Sequence, residues 1–196
     1  MPSKTTRLVL FTRYPVAGQA KTRLIPAIGA AAAAAVHKRL AEQTANLFLR
    51  SGRSLEVHHT GGNAADFEDW LGSEISYIEQ PEGDLTRKLL AAVNPAPVIF
   101  FGSDTPDLKA EHIEAAIEAL QTHDVTIGPA EDGGYYLIGI RRSLPDLFEN
   151  MPWSTSAVFD ETMERAKQNN LSVKLLETLS DCDVPEDLAR WPWLTG

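Results

Sequence analysis

Two acidic segments, far apart in the chain, carry the residue types that bind a hard divalent cation. The first is Phe100-Phe101-Gly102-Ser103-Asp104-Thr105-Pro106-Asp107, where an apolar run passes directly into an acidic turn. The second is Asp181-Cys182-Asp183-Val184-Pro185-Glu186-Asp187-Leu188, behind the last expected strand. Mg²⁺ takes one or two carboxylates and leaves its other positions to phosphate oxygens and water, which makes Asp104 and Asp183 the candidate metal ligands. Aspartate is also a favoured helix cap, and acids complement a helix N-terminus. Capping is the preferred reading of Asp107, Glu186 and Asp187.

Phosphate oxygens also need cations. The loop Thr12 to Leu24 supplies Arg13, Lys21 and Arg23, with Gly18 at its turn. They can clamp a phosphate or form an ordinary solvated basic loop. The loop is not a Walker A motif, since Ala20 stands where a glycine must precede the lysine, and the chain has no G-x-G-x-x-G fingerprint. A further segment, Gly128-Pro129-Ala130-Glu131-Asp132-Gly133-Gly134-Tyr135-Tyr136, lets a ligand approach the backbone at Gly133 and Gly134 beside Asp132. A tight hairpin also calls for Asp-Gly, so both readings stand. Trp153 is read as core. His58 and His59 are neighbours on an expected strand and point to opposite faces, so neither is given a role.

The elements that must position these groups alternate. Expected strands are Arg7–Phe11, Leu55–His59, Ile75–Ile78, Pro97–Phe101, Val125–Gly128, Tyr135–Ile140 and Ser172–Leu176. Expected helices are Ala30 to about Arg50, Ala64–Leu71, Leu85–Val93, Glu111–Leu120, about Ser156 to Asn169, and a closing helix from Pro185. Such alternation implies one α/β domain over residues 1–196, a three-layer, doubly wound and mostly parallel sheet. Ligands of such sheets bind beyond the carboxyl ends of the strands, where Asp104 and the basic loop both fall.

Composition narrows the partners. A formal charge of −9, from 27 acidic and 18 basic residues, opposes the counterion release that drives proteins onto nucleic acid. The polar start, Met1 to Thr6, and the lack of a long apolar run lead to the expectation of a cytoplasmic protein with no membrane span. Cys182, the only cysteine, is read as a free thiol.

Four pieces together resemble the glycosyltransferase-A superfamily, the nucleotide-diphospho-sugar transferase fold, over nearly the whole chain. They are Pro15 to Leu24, Gly102-Ser103-Asp104-Thr105-Pro106, Asp132 to Gly139 and Asp183 to Leu188. Within that superfamily they resemble a bacterial subfamily labelled arsenosugar-biosynthesis glycosyltransferase. The layout is also similar to phospholactate guanylyltransferase and the molybdenum-cofactor nucleotidyltransferases. The resemblance implies Mg²⁺ or Mn²⁺ on Asp104 and Asp183, a basic pair in Lys21 and Arg23, and base recognition near Gln80 and Gly83. It implies a glycosyltransferase with a nucleotide-sugar donor as the first reading. Transfer of a nucleotide from a nucleoside triphosphate to a small phosphorylated acceptor is the second, and a non-catalytic nucleotide-binding module the third. The sequence departs from both chemistries: it lacks the glycine-rich first loop of nucleotidyltransferases and the Asp-x-Asp of many glycosyltransferases.

Overall fold

Strand and helix alternate as the hydrophobic pattern requires. In the computed structural model, which describes residues 5–51 and 53–196, the strands are β1 (Arg7–Arg13), β2 (Glu56–Thr60), β3 (Ser76–Glu79), β4 (Val98–Phe101), β5 (Val125–Pro129), β6 (Tyr135–Ile140) and β7 (Val173–Leu175). The helices are α1 (Ile25–Ile28), α2 (Ala30–Ser51), α3 (Ala64–Leu71), α4 (Leu85–Ala92), α5 (Ala110–Ala119) and α6 (Val158–Gln168). Part of the polar N-terminal segment, residues 1–4, lies outside the described residues. Among the described residues no helix is long and apolar enough to cross a membrane.

The seven strands form one sheet in the order β3-β2-β1-β4-β6-β5-β7. All neighbours run parallel except β6, which is antiparallel to both β4 and β5. Successive strand residues face opposite sides. Leu8, Leu10, Ile99 and Phe101 therefore join Phe48 of α2, Phe67 of α3 and Ile113 of α5 on one face, while Val9, Val98 and Phe100 join Leu89 of α4 and Ala166 of α6 on the other. That is the three-layer α/β arrangement expected. His58 and His59 obey the same alternation: His58 lies by Phe11, with ring centroids 5.4 Å apart, and His59 by Phe67, at 4.6 Å.

Two expectations change. The closing segment forms two 3-10 turns, Pro185–Arg190 and Pro192–Leu194, in place of an α-helix. Pro185 and Pro192 each open one of the turns, and the second, seven residues after the first, lacks the backbone donor a continuous helix would need. These turns bury Trp191 and Leu194 against Leu24, Val36 and Leu40, a third apolar cluster under the basic loop. Asp107 does not cap α5, whose N-cap is Lys109; it accepts a hydrogen bond from Trp191 Nε1 at 3.1 Å and so ties the β4 loop to the chain end. Trp153 packs as expected beside the second cluster, donating from Nε1 to Thr86 Oγ1 at 2.8 Å.

The Asp-Gly-Gly segment turns β5 into β6. Asp132 Oδ1 accepts from Gly134 N at 2.8 Å, and Ala130 N donates to the Gly134 carbonyl at 3.1 Å. Gly133 has φ +89°, and a Cβ there would lie 2.2 Å from the Ser156 carbonyl oxygen. Backbone, unlike a flexible side chain, cannot step aside. Gly133→Ala is therefore expected to lower stability by about 2–4 kcal/mol, from positive-φ strain plus overpacking; an unchanged urea midpoint would show that the hairpin does not need this approach.

At the opposite end of the sheet, Arg7 of β1 clasps Glu56 of β2, Nε to Oε1 at 2.7 Å and a second nitrogen to Oε2 at 2.5 Å. Burial pushes the Glu56 carboxyl up, but the hydrogen bond and charge of Arg7 outweigh it and hold it below its ordinary range. A carboxyl lowered on folding stabilises above its unfolded pKa and loses that contribution as pH falls through the folded value. Glu56→Gln should cost about 1 kcal/mol at pH 7, with the gap to the parent protein closing as urea melts are repeated toward pH 3.

Candidate functional site

The ends of three strands frame the site. β1 ends at Arg13, β2 at Thr60, and β4 runs through Gly102 into Ser103 and Asp104. Chain leaving β1 folds back through tight turns, with Gln19 N donating to the Val16 carbonyl at 3.0 Å and Gly18 at φ +85°. It reaches Lys21, a non-glycine residue held in the left-handed region at φ 47°. L-residues adopt this conformation at a cost of roughly 1–2 kcal/mol, and here it turns the lysine inward.

The Lys21 side chain is only 5% exposed, and its Nζ lies 2.7 Å from both Asp104 Oδ1 and Asp183 Oδ1. A buried ammonium is costly unless paired. Burial opposes its charge, but the two carboxylates outweigh that and hold the amine protonated, above its ordinary value. Asp104 responds in kind: burial raises its carboxyl, and the Lys21 charge and hydrogen bond bring it below the usual range. The carboxylates themselves remain open to the cleft, at 45% and 39% exposure.

A backbone hydrogen bond joins the two acidic segments. Cys182 N donates to the Asp104 carbonyl at 2.8 Å, which locks the two acid-bearing loops side by side. Asp187 Oδ2 accepts from Asp183 N at 2.8 Å and Val184 N at 2.9 Å, so the capping role expected of Asp187 also fixes Asp183. Cys182 itself is buried and unbridged.

These groups line a cleft of about 430 Å³ that also includes Arg13, Arg23, Gln80, Lys88, Thr12 and Ser103. Four cations, Arg13, Lys21, Arg23 and Lys88, thus share it with two carboxylates in a protein whose overall charge is −9. Arg23 points to Asp183 Oδ2 at 3.9 Å and stays 69% exposed, free to swing toward a ligand. Arg13 donates to the Gln19 carbonyl at 3.0 Å. His37 of α2 supports the loop from below, its Nε2–H donating to the Arg13 carbonyl at 2.8 Å. Burial holds this imidazole below its ordinary range despite that bond, so it stays neutral beside the cations.

Gln80 reaches the cleft, whereas Gly18, Gly83, Asp132, Gly133 and Gly134 do not line it. Gly83 lies in the turn before α4, where a Cβ would meet the Arg87 side chain at 2.9 Å. Asp132 and the paired glycines form the hairpin already described. Lys88 and His37 carried no signal in the sequence, since each sits mid-helix among ordinary neighbours. Asp181 is a further group that reading passed over: Thr105 Oγ1 donates to it at 2.5 Å, and burial pushes its carboxyl up to about 7, with Asp104, Asp183 and Asp132 adding to the rise against the Thr105 bond.

The donor set suits a hard divalent ion. Asp104 and Asp183 already converge on one cation at 2.7 Å each, and their exposed oxygens face the cleft. Among the described residues no three His, Cys, Asp or Glu side chains gather into a closed metal cage. Two carboxylates with open positions are what Mg²⁺ or Mn²⁺ uses when substrate phosphates complete its shell.

Known proteins share this architecture. A Desulfovibrio desulfuricans G20 structure, provisionally described as a nucleotide-diphospho-sugar transferase, superposes with a TM-score of 0.88 at 31% identity, over 93% of this chain and 84% of that one. The Mycobacterium tuberculosis glucosyl-3-phosphoglycerate synthase, in complex with Mn²⁺, uridine diphosphate and glucosyl-3-phosphoglycerate, shares the fold at 11% identity and a TM-score of 0.58, over 95% of this chain and 75% of that one. A 3-phospho-D-glycerate guanylyltransferase of Phenylobacterium zucineum (strain HLK1) is 34% identical over 114 residues, which are 53% of this chain and 50% of that protein, so the match spans half of the relative's length. Residues 34–155 match the model of DUF2064, described as an uncharacterized protein conserved in bacteria. With more than half of its length in that match and the sheet of a nucleotide-diphospho-sugar transferase around its cleft, the chain belongs to the DUF2064 family.

Proposed function

We propose that this protein is a divalent-metal-dependent nucleotidyltransferase that transfers a nucleoside monophosphate from a nucleoside triphosphate to a small phosphorylated acceptor. The observation that carries the reading is the buried Lys21 ammonium, held between Asp104 and Asp183 in a cleft with three further cations. A triphosphate brings about four negative charges and a nucleotide sugar about two, so four cations match the triphosphate better. The guanylyltransferase relative supports the same choice.

Asp104 and Asp183 would hold Mg²⁺ or Mn²⁺, which neutralises charge on the phosphate oxygens as the leaving group departs. Lys21, which touches both carboxylates, would donate to an oxygen of the α-phosphate or of the departing pyrophosphate. Arg13, Arg23 and Lys88 bind the outer phosphates. An acceptor phosphate oxygen attacks the α-phosphorus, an O–P bond forms, the bond to the β-phosphate bridging oxygen breaks and pyrophosphate leaves. The attacking phosphate monoester is a dianion at neutral pH, so the step needs no general base, and positioning with charge stabilisation does the work.

Gln80 supports recognition of the base. Its amide nitrogen donates to the His58 carbonyl at 2.7 Å and the Thr12 carbonyl at 3.4 Å. Both partners only accept, so the NH₂ must face them and the amide oxygen is the group left for a ligand. An acceptor there suits a base edge that bears N–H donors, as guanine's does, which makes GTP the first donor to test.

A second reading, transfer of a sugar from a nucleotide sugar, is favoured by the description of the Desulfovibrio structure and by the sequence's likeness to the arsenosugar-labelled subfamily. The products separate the two. With GTP, Mg²⁺ and phosphorylated acceptors that include 3-phosphoglycerate, we expect pyrophosphate release, reduced about 100- to 1,000-fold in Lys21→Met and in Asp104→Asn. Release of a nucleoside diphosphate from a nucleotide sugar with no pyrophosphate from any triphosphate, or full turnover by Lys21→Met, would overturn the proposal.

A further inference from the structure

Beside the polar cleft lies a second, apolar cavity of about 160 Å³ that shares Phe11 and Leu85 with it. Its other walls include Leu89 of α4, Phe100 of β4, and Tyr135 and Ile138 of β6, members or neighbours of the second apolar cluster. Apolar walls left facing water gain by covering, which makes such a pocket a place for an apolar group. The pocket opens to the surface and lies at the strand ends where ligands of such sheets bind.

Gly102 keeps it open. The residue lines the cavity, and a Cβ built on it meets nothing within 4 Å. Its φ does not fall in the left-handed region either, so neither turn geometry nor a close neighbour calls for glycine here. What a side chain at position 102 would occupy is the cavity itself. Asp104 follows two residues later, at most ~7 Å along the chain, so a molecule seated in the cavity can extend a polar group to the metal-binding carboxylate.

We infer that the acceptor is an amphiphile: a phosphate monoester whose organic part, about the size of a phenyl or branched butyl group, fills this cavity over Gly102. The size follows from the volume, since an apolar cavity of roughly 150 Å³ holds a benzene-sized guest. Gly102 is then a specificity-determining residue, and its replacement narrows the acceptor while leaving the phosphate-binding cations untouched. The inference rests on the nucleotidyl reading for the acceptor's phosphate, but the cavity's preference for an apolar group is measurable without turnover.

Phenyl phosphate and methyl phosphate are the probes, titrated calorimetrically in Mg²⁺ against the parent protein and Gly102→Val, with GTP affinity and Tm read in parallel. Burying a phenyl group should make phenyl phosphate bind at least about tenfold tighter than methyl phosphate. Gly102→Val should abolish that preference and leave methyl phosphate binding, GTP affinity and Tm unchanged. Gly102→Ala, with a smaller intrusion and a safer fold, should reduce it in part. Equal binding of the two phosphates by the parent, or a preference that survives in Gly102→Val, overturns the inference. A Gly102-dependent preference in a protein that consumes no nucleoside triphosphate supports the cavity and removes only the nucleotidyl reading.

Discussion

The architecture of the site depends on one buried charge. An ammonium at 5% exposure is unstable without partners, and Lys21 has two carboxylates at 2.7 Å from loops that the sequence separates by 79 residues. Much of the surrounding structure serves that contact. The left-handed backbone at Lys21 turns the side chain inward, the Cys182 to Asp104 hydrogen bond sets the acidic loops together, and Asp187 pins the backbone of Asp183. The 3-10 turns at the chain end pack Trp191 and Leu194 under the same loop and anchor the β4 turn through Asp107.

Under the proposed function, an ion triad of this kind would keep a polyphosphate site ready without filling it. One cation satisfies both acids, which would otherwise repel each other, yet the carboxylates keep about two-fifths of their side-chain surface open. On the same reading, a divalent ion arriving with phosphate would bring more charge to the same oxygens and take over their pairing, while the phosphate would give Lys21 a new partner. Such an exchange would replace ion pairs with ion pairs.

How much of this was legible beforehand depended on range. Periodicity is local, so Val98 to Phe101 and the alanine-rich α2 announced themselves, and the sheet followed from their alternation. The acids and basic loop were legible as strand-end residues, and the structure brings Lys21 within 2.7 Å of both Asp104 and Asp183. What lay outside reach was set by tertiary packing. Asp107 found an indole partner 84 residues away in place of a helix end, and the proline-broken C-terminus became turns. Gly133 is accounted for by the approach of Ser156, which no local pattern announces. Lys88 and His37 joined the cleft through the placement of α4 and α2, and the reason for Gly102 appears only once the cavity beyond it is seen.

The most direct measurement of the central claim is diffraction at the manganese absorption edge from crystals grown with Mn²⁺ and GTP. The expected result is a single anomalous peak between the Asp104 and Asp183 carboxylates, shared with phosphate oxygens, and Lys21 Nζ turned from the acids to the triphosphate. A map with Mn²⁺ elsewhere or absent, and Lys21 still bridging the two aspartates with the nucleotide bound, would contradict it.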